Sequence, residues 1–125
     1  MFRLLIASAM IMISTVATAH EMTPTYPKLK PSFVSGVTVT TMRIFNKRKD
    51  VEYYEIGVFD EDFNPVPFVT AYQIIKIEYL GHVMFDVYIA DRDKYRARYI
   101  CSRSKLRKDT RIATNVTSRI CSKIK

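Results

Sequence analysis

Tryptophan is absent from this chain, and glycine occurs only three times in 125 residues. So few glycines leave no Gly-rich loop of the kind whose backbone amides cradle phosphate. There are only two histidines, His20 and His82, and two cysteines, Cys101 and Cys121. Neither HExxH nor CxxC occurs, which removes the usual zinc-protease and dithiol redox signatures. Acidic residues are scattered on turn-like stretches and form no paired wall for acid–base chemistry. Beyond the N-terminal segment, no apolar run approaches the roughly 20 residues a membrane helix needs. Internal repeats and low-complexity tracts are missing too. No catalytic residue and no cofactor is assigned on this reading, and a non-enzymatic protein is expected.

What is present begins with an export signal. Arg3 supplies a positive start, Leu4–Val16 is almost wholly apolar, and Ala17-Thr18-Ala19 has the small-x-small pattern of a cleavage site. Removing the first 19 of 125 residues would leave 106, beginning at His20. That length suits one domain with one core. An exported chain with an even cysteine count points to a Cys101–Cys121 disulfide. The expected location is the periplasm or the secreted fraction, with no membrane span after cleavage. Charge is uneven. Residues 20–90 hold seven basic and nine acidic side chains, net −2, whereas residues 91–125 hold twelve and three, net +9. Arg96, Arg98, Arg103, Lys105, Arg107 and Lys108 are the resulting partner-binding candidates, facing a protein or an anionic surface. Export argues against intracellular nucleic acid.

The pattern along the chain is β throughout. Residues 20–35 carry Pro24, Pro27 and Pro31 and read as an extended arm. Val37–Phe45 and Val51–Phe59 are rich in β-branched and aromatic residues, and the charged connector Asn46–Asp50 between them suits an exposed hairpin loop. In the first of these strands Val37 and Val39 fall on the opposite parity from Met42 and Ile44, which predicts a bulge near Thr40 and Thr41. In the second, Tyr54, Ile56 and Val58 form the core face. Asp60–Asn64 is a turn, and Pro65 and Pro67 confine the next segment to an edge strand or an irregular crossing. Thr70–Leu80 reads as a strand. Val83, Phe85, Val87 and Ile89 give the cleanest period-two signal. Tyr95, Ala97, Tyr99 and Cys101 are expected on one face of the next strand, Ser102–Thr110 as a basic loop, and Ile112–Ile124 as a last strand. The expected fold is a single all-β, immunoglobulin-like antiparallel sandwich of about seven strands spanning residues 36–125. The strand before Thr70 or the last strand is the expected open edge.

Two resemblances attach to these residues. Ala97-Arg98-Tyr99-Ile100-Cys101 resembles the AxYxC segment of an immunoglobulin strand, although without tryptophan or an upstream cysteine the usual inter-sheet bridge cannot form. More informatively, Met42-Arg43-Ile44-Phe45-Asn46, the charged turn, Tyr53–Phe59 and Asp60–Phe68 resemble the N-terminal immunoglobulin-like domain of periplasmic pilus-assembly chaperones. The resemblance covers Val37–Phe68. It implies that fold, that compartment and a protein partner, a surface or pilus-like subunit, engaged by strand addition or through the basic C-terminal face. The cleft arginine and lysine of those chaperones match no position here, and those chaperones have two domains where this chain has room for one. Two other readings are carried. One is a copper-binding sandwich in which His20, as a mature N-terminus, chelates with His82 as a further ligand. The other is a structural or adhesive component of a cell surface or virion.

Overall fold

Alternation of apolar and polar residues over five to nine positions builds every long element, because successive side chains of a strand point to opposite faces. The computed structural model describes residues 19–105 and 117–125, and no helix occurs among them. The predicted signal segment thus lies outside the described residues, apart from Ala19. Eight strands form: β1 (Glu21–Thr23), β2 (Lys30–Pro31), β3 (Val37–Phe45), β4 (Tyr53–Phe59), β5 (Ile74–Lys76), β6 (His82–Ala90), β7 (Tyr99–Lys105) and β8 (Arg119–Lys123). All pairings are antiparallel. In one sheet β3 is central, with β1 and β2 along one edge and β6 along the other. The second sheet has the order β5-β4-β7-β8. The two inner faces enclose one core, in which Met42, Ile44, Tyr54, Ile56, Val58, Val87, Ile89 and Ile100 are almost fully buried. Each such side chain contributes about 1.5–3 kcal/mol on removal from water. This is the expected β-sandwich, with the N-terminal arm enlisted as two short strands.

Several local expectations are corrected. The β3–β4 connector is not a hairpin loop, because β3 and β4 belong to different sheets. The chain arches across the end of the sandwich and carries Asn46, Arg48 and Val51 inward. Strand β3 has no bulge: it pairs with β6 in unbroken register from Val37↔Ala90 to Phe45↔His82. The phase is instead set by Thr38, Thr40, Met42 and Ile44 facing inward, with Val37 and Val39 half-buried outside. Threonine has nearly the shape of valine, and Thr38 satisfies its hydroxyl by donating to the Ile89 carbonyl at 2.8 Å.

In β7 Tyr99 and Cys101 do share one face, and it is the outer one. Ile100, Ser102 and Ser104 point inward, while Tyr99, Cys101, Arg103 and Lys105 line the outer face. Tyr95 is exposed in a turn that precedes the strand. Residues 102–105, read as loop, are strand. Among the described residues the last strand covers Arg119–Lys123, and residues 106–116 lie outside them. Of the stretch 70–80 only Ile74–Lys76 is strand. The proline segment does cross irregularly. Val66 N–H donates to Val58 of one sheet, and Val69 bridges Tyr88 of the other.

Candidate functional site

The two flanks of the sandwich differ. On the β1/β8 flank the arm closes the gap. Lys123 and Lys125 N–H donate to the carbonyls of Thr25 and Pro27 at 3.1 and 2.9 Å, so the arm holds the C-terminal end of the β8 edge. On the other flank the outer edge of β6 is occupied at one residue. Tyr88 exchanges both backbone bonds with Val69, at 2.8 and 2.9 Å, on the side away from β3. Backbone groups in an antiparallel strand alternate in direction, so Asp86, Met84 and His82 also aim N–H and C=O outward. Among the described residues no strand pairs with them. By the same alternation, Ile74 and Lys76 of β5 present outward backbone groups on the neighbouring sheet edge.

This edge is flanked by apolar surface. A cleft of about 540 Å³ is lined by Thr41, Ala71, Tyr72, Ile75, Met84, Phe85 and neighbouring residues. Met84 is 66% exposed, Tyr72 72%, Val69 68% and Leu80 58%, in a stretch of only sixteen residues, 69–84. An unpaired strand edge beside exposed apolar surface is a template for another strand, and soluble proteins blunt or use such edges. The exposed Asp86 carboxylate, which accepts the Thr41 hydroxyl at 2.5 Å, puts one charge on this edge.

The residues singled out from sequence fall elsewhere. Arg103 and Lys105 both pair with Glu55, at 3.4 and 2.6 Å, on the outer face of the β4–β7 sheet. Arg96 pairs with Asp93 at 2.9 Å, in the turn before β7. Arg98 is exposed just before the opposite end of β7, about 24 Å along the strand from Lys105. Arg107 and Lys108 lie outside the described residues. The structure thus divides the described candidates between two places and pairs three of them with two carboxylates, Glu55 and Asp93. On the same outer face Arg119 lies over the Phe59 and Phe63 rings, at 4.7 and 5.0 Å, and Phe63 stacks on Tyr99 at 4.7 Å. Tyr99 is therefore a surface aromatic. The Cys101–Cys121 disulfide is formed and joins β7 to β8.

His20 and His82 are not brought together. Residues next to His20 pair with one edge of β3 and His82 with the other, so two strand spacings, about 10 Å, separate their backbones. The His20 ring turns into the sandwich and is 1% exposed. Its Nε2 lies 2.7 Å from Ser102 Oγ, its Nδ1 lies 3.2 Å from Ser118 Oγ, and the ring packs on Tyr54 at 4.5 Å. Burial pushes the imidazole down to about 4, a hydrogen bond to Ser102 opposes that, and nearby Arg48 adds to the lowering. A neutral ring held by two hydroxyls fits this position, and both of its nitrogens are already engaged. No group of three or more His, Cys, Asp or Glu is gathered among the described residues. The Ser102–His20 contact has the elements of a nucleophile and base, but Ser102 is fully buried and offers no approach to a substrate.

His20 belongs to a buried polar lock at the arch. Asn46 Nδ2 donates to the carbonyls of Val51 and Ile77 at 2.7 and 2.8 Å. Asn46 Oδ1 accepts from Arg48 N–H at 2.9 Å and from Tyr54 O–H at 2.5 Å. Arg48 grips Asp50 with two hydrogen bonds, of 3.0 and 2.7 Å, and reaches Ser104 and Ser118 at 3.4 Å. Burial, the largest influence, pushes the Tyr54 hydroxyl up to about 12, so it remains a donor. The lock is structural: it fixes one end of the sandwich and the root of the arm.

These features define, among the described residues, a small all-β sandwich with an arm bridging one flank and an open stretch of strand edge on the other. No protein-family model matches the chain, and no curated protein sequence matches it. Among solved structures, the E. coli chaperone DraB is similar in fold, with a TM-score of 0.62 at 15% identity over 85% of this chain. The match covers 53% of that protein, so this chain spans about half its length. A FixG-related protein from Vibrio parahaemolyticus gives a TM-score of 0.49 at 19% identity, over 86% of this chain and 96% of that one. The chaperone match agrees, at the level of fold, with the resemblance read from Val37–Phe68.

Proposed function

We propose that this protein is an exported, non-catalytic binding module that holds an extended segment of a partner protein by strand addition to the outer edge of β6. The observation that carries the reading is the outward-aimed backbone of His82, Met84 and Asp86 beside the apolar cleft. A partner strand gains backbone hydrogen bonds along the edge, and alternate side chains enter the cleft against Ile75 and Phe85. A surface or assembly subunit with an unpaired β-segment has the required chemistry, and the fold shared with a bacterial chaperone supports that direction. The disulfide supports export, since such bonds persist in oxidising compartments. Among the described residues no helix is long and apolar enough to cross a membrane.

The test begins with the processed protein captured from its native envelope and the partner identified by mass spectrometry. Amide exchange is then followed with and without that partner. Slowed exchange at Met84 and Asp86 is the expected result. Met84→Pro removes an outward N–H without touching the β3 ladder, and it should abolish binding while the circular dichroism spectrum is retained. Protection confined to the outer face around Arg103 and Arg119 would move the site there and refute strand addition.

A further inference from the structure

The free part of the β6 edge is short, because Val69 occupies Tyr88 at one end and the strand begins only at His82, after a turn at Tyr79 and Leu80, at the other. Five residues remain, His82–Asp86, with Met84 at their centre. We infer that this segment is its own complement, and that a second copy of the chain covers it by antiparallel β6–β6 pairing about a two-fold axis at Met84. Centred there, Met84 faces Met84 of the second copy, and His82 faces Asp86 of the second copy twice over. All these residues aim backbone groups outward, so each facing pair exchanges two hydrogen bonds. Moving the centre toward Tyr88 collides with Val69, and moving it toward Gly81 places Met84 against His82 and leaves Asp86 without a partner.

The side chains agree with that register. On the outer face, an imidazole lies across from a carboxylate at both ends, with two thioethers between. On the inner face, Val83 meets Phe85 of the second copy, each at the mouth of the apolar cleft. The exposed Tyr72 and Leu80 lie next to this edge and gain cover at the same time. A strand carrying a carboxylate at both ends or at neither lacks this match, whereas the chain's own strand meets it. Self-pairing therefore holds the binding edge covered until a competing strand displaces the second copy. The inference rests on the same edge as the proposed function but not on the existence of a partner.

Sedimentation equilibrium of the oxidised protein over a wide concentration range tests it. A reversible monomer–dimer equilibrium is expected. Asp86→Lys puts a cation across from His82 at both ends, and should raise the dimer dissociation constant about tenfold. His82→Glu alone should do likewise, by facing Asp86. The double variant His82→Glu/Asp86→Lys places a carboxylate across from an ammonium at both ends and should recover dimerisation. A monomer at all concentrations overturns the inference, as does a dimer indifferent to Asp86→Lys or one that the double variant fails to rescue. Partner binding at Met84 by a monomeric protein would leave the proposed function standing and remove only self-pairing.

Discussion

Acidification gives a specific measure of the polar lock through His20. The ring is buried against Tyr54, Ser102 and Ser118, with Arg48 close by. Its folded-state pKa is held down from 6.5 to about 4, mainly by burial. A depressed folded-state value means that the unfolded chain takes up the proton first. Above pH 6.5 both states are neutral and stability is unaffected. Between pH 6.5 and about 4 only the unfolded state protonates, and stability falls by about 1.4 kcal/mol per pH unit. By pH 4 the loss totals about 3 kcal/mol, and it levels off below that. A mature α-ammonium at His20 would add a second positive charge beside the ring and act in the same direction. Urea unfolding followed by circular dichroism, at steps from pH 7 to pH 4, reads the effect. Carboxylates titrate in the same range, so His20→Gln serves as the reference. The wild type should be the more stable at pH 7, and its advantage should shrink by about 3 kcal/mol by pH 4. Parallel curves for the two proteins would refute the reasoning and mean that the ring is not buried as described.

Asn46→Ala removes four hydrogen bonds from a fully buried position and leaves the Val51 and Ile77 carbonyls unpaired, so a loss of about 3 kcal/mol or more is expected in denaturant unfolding. Replacing Cys101 and Cys121 together by alanine opens a loop with a sequence separation of 20, and should cost about 3 kcal/mol in the same assay without changing the sheet signal.

The core faces of β4 and β6 could be read from sequence because each buries large apolar residues at every second position. Tyr54, Ile56 and Val58 in one, and Phe85, Val87 and Ile89 in the other, are all inward. Reading failed where polar residues do the work of apolar ones. Thr38 and Thr40 in β3, and Ser102 and Ser104 in β7, carry no hydrophobic signal, yet all four are buried. The connector Asn46–Asp50 misled for the opposite reason. Its charges suggest solvent, but Arg48 turns inward and holds Asp50 with both nitrogens of its fork. The binding edge was the least legible feature. Nothing in HVMFD distinguishes a central strand from an edge, and only the pairing of Val69 with Tyr88 shows where coverage stops.

The arch at Asn46 also bears on how the chain reaches its native form. Because β3 and β4 enter different sheets, they cannot zip onto one another as a hairpin. Residues in β3 find their partners in β6 some 37 to 53 positions away, and β4 pairs with β7 across 40 to 52. Such distant closures must be completed before they return any stability, which places folding in the millisecond-to-second range typical of non-local β topologies. Throughout that interval the greasy strands are open to wrong neighbours, so a newly made molecule has most need of assistance before its first sheet has formed.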